Sequence, residues 1–488
     1  MKKNKLIILG GAGMIVVVVV VYLLLSTQGY LAWAAGLFNR QPVQSVAQLE
    51  SAEEVVEEAT LTMTVLPTAT MTVEAVETIP EAATASPEAE IVPTEDLSIG
   101  PFGPNGDDFP LGINPLTGLL VTDPDTLDYL PALVSITNWP VNARPQAGLG
   151  SSAWVYELYI GQGMSRFLAL FYGAFPGEEG SQEDDAGSSG MAIDNTDADS
   201  IGPIRSGRLP YEGLRRLNNG FLVMASAYAG VAKNLDAYTN VFGSDGEDIN
   251  SAMIPADKLK EIAAQYEGQL VSGSLSGNVF DADIPTGGVP GETFWFVYNP
   301  LNQIAWQFDT QKGVYYRYQD LADGLTFARL TDRTDGESVD ISNVILLFAN
   351  HRYCTEKAFD IDFLNINKFP AVIFRDGQKF DVFWTTKSED FEFETGKFRP
   401  IRFIDADGNP FPLKPGSSWV MLAPYNTPIW ESPVVEPIPM DQLEWIPSEG
   451  TALLYQLLNT KESGTGQWVS RFYQSLMIYD NSVCTQIN

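Results

Sequence analysis

Residues 6–25 restrict the fold more than any other stretch of this chain. They form a run of twenty residues without a charged side chain, made mainly of Leu, Ile, Val and Gly. A helix of that length spans a bilayer core of about 30 Å. Three lysines lie within the first five residues, and the next basic residue is Arg40. Because positive charge favours the cytoplasmic side, residues 1–40 are predicted to form a cytoplasmic tip and a transmembrane signal anchor.

A cleaved signal peptide is the alternative to an uncleaved anchor. Residues Ala32-Trp33-Ala34 match the small-residue pattern at which such peptides are cut. The apolar run, however, is longer than the roughly 7–15 residues of a usual signal peptide core. The sequence therefore favours a single-pass anchor with an extracytoplasmic body and leaves cleavage open.

A strongly acidic stretch follows the apolar run. The formal net charge of the chain is −33, and residues 41–100 contain twelve carboxylates but neither Lys nor Arg. Like charges repel, and few large apolar residues are available to form a core. Residues 41–105 are therefore predicted to be a disordered acidic Thr/Pro stalk. Because the body is acidic too, nucleic acid is not an expected partner. The membrane, and either a cell-wall component or another envelope protein, are the expected partners.

The body reads as an α+β fold in two parts. Residues 106–272 mix strand and helix patterns and carry a polar acidic insert at 176–200. Residues 292–426 hold short β-branched and aromatic runs separated by turn signals, typical of mostly antiparallel β structure. We predict a mixed α/β N-terminal domain packed with this C-terminal β domain as a layered sandwich, followed by a tail at 427–488.

Several local elements are predicted in the body. Helices are expected at residues 211–217, 231–238 and 255–266, and a buried strand at 221–227. The tetrapeptide Arg375-Asp376-Gly377-Gln378 is expected to form a tight hairpin turn, because Asp-Gly suits the left-handed backbone of such turns.

Several stretches of the body share their order and spacing with one known family. The N-terminal ones are Asn114-Pro115-Leu116-Thr117-Gly118-Leu119, Arg144-Pro145-Gln146-Ala147-Gly148-Leu149, Trp154-Val155-Tyr156-Glu157, Ser165-Arg166-Phe167-Leu168-Ala169 and Gly202-Pro203-Ile204-Arg205-Ser206. The C-terminal ones are residues 306–317, Asn343-Val344-Ile345, Arg375-Asp376-Gly377 and Leu413-Lys414-Pro415-Gly416-Ser417-Ser418-Trp419. Together they resemble the YerB-like bacterial envelope proteins, a family described by paired N- and C-terminal domains of unknown function (DUF3048).

The resemblance covers about residues 109–425. It implies an α+β extracytoplasmic protein, often a lipoprotein, and brings no established biochemical activity with it. This chain departs from the family pattern in its membrane-spanning anchor, its acidic insert and its added tail. The only two cysteines, Cys354 and Cys484, lie far from the apolar run, so no cysteine is placed to carry a lipid there.

The loop at residues 201–210 is the main candidate for a binding site. It places two arginines and a serine just before a predicted helix, and arginine pairs bidentately with carboxylates and phosphates. The candidate anion-binding residues are Arg205, Ser206, Arg208, Arg166, Arg144 and Glu157. The competing interpretation is internal, with the arginines paired to Glu157 or other carboxylates to hold loops together. The sequence leaves both interpretations open.

Other chemistry-bearing residues give weaker signals. Cys354 and Cys484 either form one disulfide or stay apart as thiols. His351, the single histidine, lies three residues before Cys354, so a nucleophilic pair competes with a structural histidine. Asp194, Asp197 and Asp199 offer oxygen ligands to Ca²⁺ but lack the EF-hand pattern. The tryptophans are expected mostly in the core rather than on sugar rings.

No catalytic residue, metal site or cofactor is assigned from the sequence. We expect a non-enzymatic binding or interaction module of the cell envelope. The alternative is an envelope enzyme acting on glycan or peptide, with an arginine-lined cleft that includes Arg205, Arg208 and Glu157.

Overall fold

The computed structural model describes residues 100–177, 199–241, 252–355, 358–434, 438–439 and 460–487. The predicted anchor, the stalk up to residue 99 and most of the insert lie outside these residues. Within them, no helix combines the length and hydrophobicity needed to cross a membrane. Residues 90–488 belong to one compact unit. Its two sequence halves are therefore described together.

Strands make up most of the regular structure. In the first half they are β1 (Ala132–Thr137), β2 (Trp154–Gly161), β3 (Met164–Phe171), β4 (Ser200–Ile201), β5 (Phe221–Met224), β6 (Tyr238–Asn240), β7 (Ile254–Pro255), β8 (Val279–Phe280) and β9 (Val289–Pro290). In the second half they are β10 (Thr293–Asn299), β11 (Asn302–Asp309), β12 (Val314–Asp320), β13 (Thr326–Arg329), β14 (Asn343–Ala349), β15 (His351–Thr355), β16 (Ala358–Ile361), β17 (Phe369–Arg375) and β18 (Gln378–Thr385). The remaining strands are β19 (Arg402–Ile404), β20 (Pro412–Leu413), β21 (Ser418–Pro424), β22 (Ile429–Glu431), β23 (Ile438–Pro439), β24 (Gln467–Arg471) and β25 (Ile478–Tyr479).

Helices are short and few among the described residues. They are α1 (Pro210–Leu217), α2 (Ala229–Ala232), α3 (Ala256–Ala264), α4 (Asp390–Thr395) and α5 (Asn481–Ile487). The α+β prediction thus holds at a coarse level, with strands dominant. The helix predicted at 231–238 is wrong in extent. The structure has only the four-residue α2 there, followed by β6, because Asn234 Nδ2 donates to Gly230 O at 2.7 Å and closes the turn.

One large sheet runs through both halves of the sequence. Its strand order is β19-β18-β17-β14-β21-β2-β3-β1-β5-β6, with β9 added on β18. The junction between the halves is the parallel pair β2–β21, in which Trp154 pairs with Ser418 and Val155 with Trp419. The predicted hairpin at Asp376-Gly377 joins β17 to β18, and both residues have positive φ. Such backbone is what a two-residue hairpin turn of this type requires.

A second sheet covers part of the first. It has the order β22-β24-β10-β11-β12-β13-β23. Three of its strands, β22, β23 and β24, come from the segment predicted as a tail, and β24 pairs in parallel with β10. The tail is therefore a structural part of the body.

Both faces of the large sheet carry apolar cores. On one face, Val155 and Phe167 pack with Trp306 and Tyr315 of the second sheet and with Leu259 of α3. On the other face, Leu158 and Leu168 pack with Tyr211 and Leu214 of α1, and with Phe363. Because side chains alternate along a strand, neighbouring residues of β2 and β3 belong to different cores. This alternation decides where the candidate site residues lie.

Candidate functional site

The arginine loop fills a gap between two parallel strands. β1 and β5 pair over Ala132–Val134 and Phe221–Val223 and then separate toward their carboxyl ends. Residues 203–207 enter the gap: Arg205 N donates to Ser135 O at 2.8 Å, and Ala225 N donates to Arg205 O at 3.0 Å. Ligands of open sheets commonly bind where parallel strands end and separate. The loop is thus anchored by backbone hydrogen bonds on both sides.

Gly207 is required by this close approach. A Cβ atom at this position would meet Met224 Sδ and lie 2.8 Å from Leu235 Cδ1. Gly207 N also donates to Ser226 O at 2.9 Å, so the chain has little room to move away. The glycine lets the loop lie flat on the core below it and turn directly into α1.

Three arginines gather at this loop, on the face of the sheet that carries Leu158 and Leu168. Arg166 of β3 donates from Nη1 to Ser206 O at 2.9 Å, and Arg208 donates from Nη1 to Ser206 O at 3.2 Å and to Gly207 O at 2.9 Å. Arg205 is close enough for its charge to act on Arg166. We call Arg166, Arg205 and Arg208 the arginine cluster.

The cluster is electrostatically unfavourable as it stands. Burial, the charge of Arg208 and the charge of Arg205 together lower the pKa of Arg166 to about 9. Burial also lowers the pKa of Arg208. With a pKa of about 9, Arg166 still carries its proton at neutral pH and lies close to the positive charges of Arg205 and Arg208. An anion placed between them would relieve this repulsion.

Arg166 and Arg208 form no ion pair with any carboxylate of the described residues. Arg166 is 5% exposed, and its Nε has no hydrogen-bond partner among those residues. Leaving a buried donor of a charged group without an acceptor is costly. Arg205, Ser206 and Arg208 are only partly buried. The cluster is therefore reachable from solvent.

Glu157 lies on the opposite face of the sheet from the cluster. It pairs with Phe167 in the β2–β3 register, whereas Arg166 pairs with Leu158. Arg317 of β12 donates from Nη2 to both carboxylate oxygens of Glu157 at 3.0 Å. Ser165 Oγ and Trp419 Nε1 donate to the same carboxylate at 2.7 and 3.0 Å. Arg317 was not among the predicted site residues, because a pattern of alternating residues does not show which strand of a second sheet will face Glu157.

Arg144 lies near Glu157 and Arg317 and not in the arginine cluster. It donates from Nη1 to Asp320 O at 2.8 Å and from Nε to Asn138 O at 3.2 Å. Burial and the nearby charge of Arg317 lower the pKa of Arg144 to about 9. The six predicted residues are thus divided by the sheet: Arg166, Arg205, Ser206 and Arg208 come together, while Glu157 and Arg144 do not join them.

The other candidate residues either have structural roles or lie outside the described residues. Cys354 and Cys484 form a disulfide, so no thiol of Cys354 is available to pair with His351. His351 is 1% exposed, its Nδ1 donates to Ala349 O at 2.9 Å, and burial lowers its pKa to about 4. Asp194 and Asp197 lie outside the described residues, whereas Asp199 is exposed.

Most tryptophans are core residues, as expected. Trp154, Trp295, Trp306, Trp384 and Trp419 are among the largest fully buried side chains. Trp139 is partly buried, with the guanidinium of Arg144 5.2 Å from its ring centre. Stacking of sugar rings is thus not supported for the five buried tryptophans.

Comparison with known proteins gives a consistent family result. The model described as "Protein of unknown function (DUF3048) N-terminal domain" matches residues 116–261, and the corresponding C-terminal domain model matches residues 295–420. A relative from Bacillus subtilis (strain 168), described as "Putative lipoprotein YerB", is 25% identical over 329 residues, which is 64% of this chain and 86% of the relative. The crystal structure of the YerB protein from Bacillus subtilis matches at 22% identity with a TM-score of 0.47, covering 64% of this chain and 96% of that one.

Proposed function

The chain belongs to the DUF3048 family, and we propose that its body is an extracytoplasmic, membrane-anchored module that binds an anionic component of the cell envelope at the arginine cluster. The observation that carries the proposal is the grouping of Arg166 and Arg208, two cations without a carboxylate partner among the described residues, in a chain of net charge −33. In such a chain, internal carboxylate partners are plentiful. Two neighbouring arginines, Arg166 and Arg208, that form no ion pair with a described carboxylate fit a role for an external anion.

The ligand class follows from the donors. Guanidinium groups bind carboxylates and phosphates through paired N–H donors, and Ser206 adds a hydroxyl group beside them. The acidic body repels extended polyanions at long range, so a compact anionic group presented at a chain end suits the site better than a long polyanion. A carboxylate or phosphate group of a wall component meets this requirement.

The location of the body rests on the sequence and on the relative. Residues 6–25 are long and apolar enough to anchor the chain, with the basic tip on the cytoplasmic side. The similar Bacillus subtilis protein is described as a lipoprotein. Both point to attachment at the outer face of a cell membrane. This chain is proposed to use its own N-terminal helix in place of a lipid.

The enzyme alternative loses one of the residues proposed to line its cleft. It required Glu157 beside Arg205 and Arg208 in one cleft, but Glu157 is fully buried on the other face of the sheet and held by Arg317. No observation in the described residues favours a reaction at the cluster. Binding is therefore the function we propose.

Co-sedimentation of the full-length protein, purified in detergent, with isolated cell envelopes and with purified peptidoglycan tests the proposal. The double variant Arg205→Gln/Arg208→Gln should remain in the supernatant when the unmodified protein sediments. The matched control Arg216→Gln/Arg329→Gln removes two exposed arginines elsewhere and should sediment normally. Equal sedimentation of both double variants would contradict the proposal. Mass spectrometry of the supernatant checks catalysis, because release of glycan or peptide fragments would favour an enzyme instead.

A further inference from the structure

A groove of about 700 Å³ lies away from the arginine cluster. Its walls come from residues 117–122, the chain that leaves β3 at residues 172–177, and the loop at residues 332–340. The volume is within the usual range of about 300–1,000 Å³ for ligand sites. The groove does not overlap any residue of the site proposed above.

One side of the groove presents exposed apolar side chains. Leu119 is 47% exposed and Leu120 is 61% exposed, and both line it. The buried side chains of Phe175 and Val339 add apolar surface below them. Neighbouring exposed leucines over a concave surface are typical of protein–protein contact sites.

The lining of the groove also carries acidic side chains. The carboxylates that line the groove are Asp199, Asp332, Asp335, Glu337 and Asp340. Within the part of the chain that the structure describes, no Lys or Arg lines it. Two of these carboxylates are already used. Asp332 accepts from Gly148 N and Gly150 N at 2.8 and 2.6 Å, and Asp340 lies 3.7 Å from Lys312.

The other three carboxylates reach solvent, and Asp335 Oδ1 also accepts from Glu337 N at 2.8 Å. Asp199, Asp335 and Glu337 are exposed and have no ion-pair partner in the described ranges. They are not arranged for a metal ion, since the described residues contain no group of three ligating side chains close enough to hold one. Dispersed negative charge beside an apolar wall is complementary to alternating cationic and apolar side chains, as on an extended peptide.

We propose that this groove docks an extended segment of a partner protein that carries lysine or arginine side chains alternating with large apolar ones. The leucine wall takes the apolar side chains, and Asp199, Asp335 and Glu337 take the cations. The groove thus gives the protein a second partner, another protein, in addition to the anion proposed for the arginine cluster.

Fluorescence anisotropy with the full-length protein in detergent tests this assignment. The probe is a fluorescein-labelled hexapeptide of alternating lysine and leucine. The groove variant Asp199→Asn/Asp335→Asn/Glu337→Gln should bind it about tenfold more weakly, because three screened charge contacts together are worth roughly that factor. The matched control Glu267→Gln/Glu394→Gln/Asp407→Asn removes three exposed carboxylates elsewhere. It should stay within about twofold of the unmodified protein, since the general attraction of an acidic chain changes equally in both variants.

The apolar wall is tested separately. Leu119→Ser should weaken binding of the lysine–leucine peptide but leave binding of a lysine–serine peptide unchanged. Equal weakening by the groove and control triple variants, or no binding of the peptide at all, would overturn the proposal. Spermine that competes as strongly as the peptide, with no response to Leu119→Ser, would show a site for any polycation and would overturn the assignment to a peptide.

Discussion

Arg317 and Glu157 join the two main sheets through a buried ion pair. Nη2 of Arg317 in β12 lies 3.0 Å from each carboxylate oxygen of Glu157 in β2, and both side chains are 0% exposed. The guanidinium lies 5.2 Å from the ring centre of Phe167 and 5.0 Å from that of Trp419. The pair therefore holds a charged group inside an aromatic core and fixes how the sheets meet.

Removing one member of this pair should destabilise the fold strongly. Arg317→Met leaves the carboxylate of Glu157 buried without its cation, which we expect to cost about 3–5 kcal/mol of unfolding free energy. Urea titration followed by tryptophan fluorescence measures the change. Lys258→Met removes one member of the exposed pair with Glu261 and serves as the control, with an expected loss below about 1 kcal/mol. Similar small losses in both variants would show that the buried pair does not fix the two sheets.

The arginine cluster should limit stability in the absence of a ligand. Arg208→Gln removes a positive charge near Arg166, whose pKa that charge helps to lower. If the cluster is kept for an external anion, the variant should be as stable as the unmodified protein or more stable, by up to about 1 kcal/mol. Thermal unfolding in anion-free buffer makes the measurement. A loss of more than about 2 kcal/mol would instead identify Arg208 as an internal clamp.

His351 and Asp320 should have opposite effects on acid stability. Burial lowers the pKa of His351 from 6.5 to about 4, so the unfolded chain binds the extra proton and stability falls as the pH drops from 6.5 to 4. Burial raises the pKa of Asp320 from 3.8 to about 6, so the folded chain binds the extra proton and stability rises as the pH drops from 6 to 3.8. Each contribution is roughly 3 kcal/mol, and the two oppose each other between pH 4 and 6.

Single variants should separate the pH dependence of stability that His351 contributes from the pH dependence that Asp320 contributes. In urea titrations between pH 4 and 6.5, His351→Asn should become more stable on acidification relative to the unmodified protein. Asp320→Asn should become less stable relative to it over the same range. Parallel pH profiles for all three proteins would mean that neither group is perturbed by burial in the way described.

The disulfide should be a major stabilising element of the C-terminal segment. Cys354 and Cys484 are 130 residues apart in sequence. Closing a loop of this length restricts the unfolded chain, which we expect to stabilise the fold by about 2–5 kcal/mol. The double variant Cys354→Ser/Cys484→Ser should unfold at correspondingly lower urea concentration under oxidising conditions. A reducing agent should shift the unmodified protein but not the variant, and unfolding that is unchanged by either treatment would contradict this role.

Local sequence patterns predicted individual elements well. The helices predicted at 211–217 and 255–266 correspond to α1 and α3, and the strand predicted at 221–227 forms β5 over its first four residues. The Asp376-Gly377 turn was also predicted, because two adjacent residues are enough to indicate a turn that needs positive φ at both positions. The helix predicted at 231–238 was wrong in extent, since the side chain of Asn234 closes the turn early.

Long-range pairing could not be read from the sequence. Nothing local indicates that β2 pairs with β21, more than 250 residues later in the chain, or that β24 of the predicted tail pairs with β10. The same limit applied to the site. Glu157 and Arg166 both appeared as candidates for one pocket, but a strand register places them on opposite faces. The cluster of Arg166 with Arg208 depended on that register as well.

Isothermal titration of the full-length protein with pyrophosphate and with citrate tests the central claim most directly. These two compact anions offer phosphate and carboxylate groups to the arginine cluster. We predict saturable binding of at least one anion to the unmodified protein and to the Arg216→Gln/Arg329→Gln control, and loss of at least tenfold in affinity for Arg205→Gln/Arg208→Gln. Absence of binding to the unmodified protein, or equal affinity in the two double variants, would contradict an anion site at the cluster.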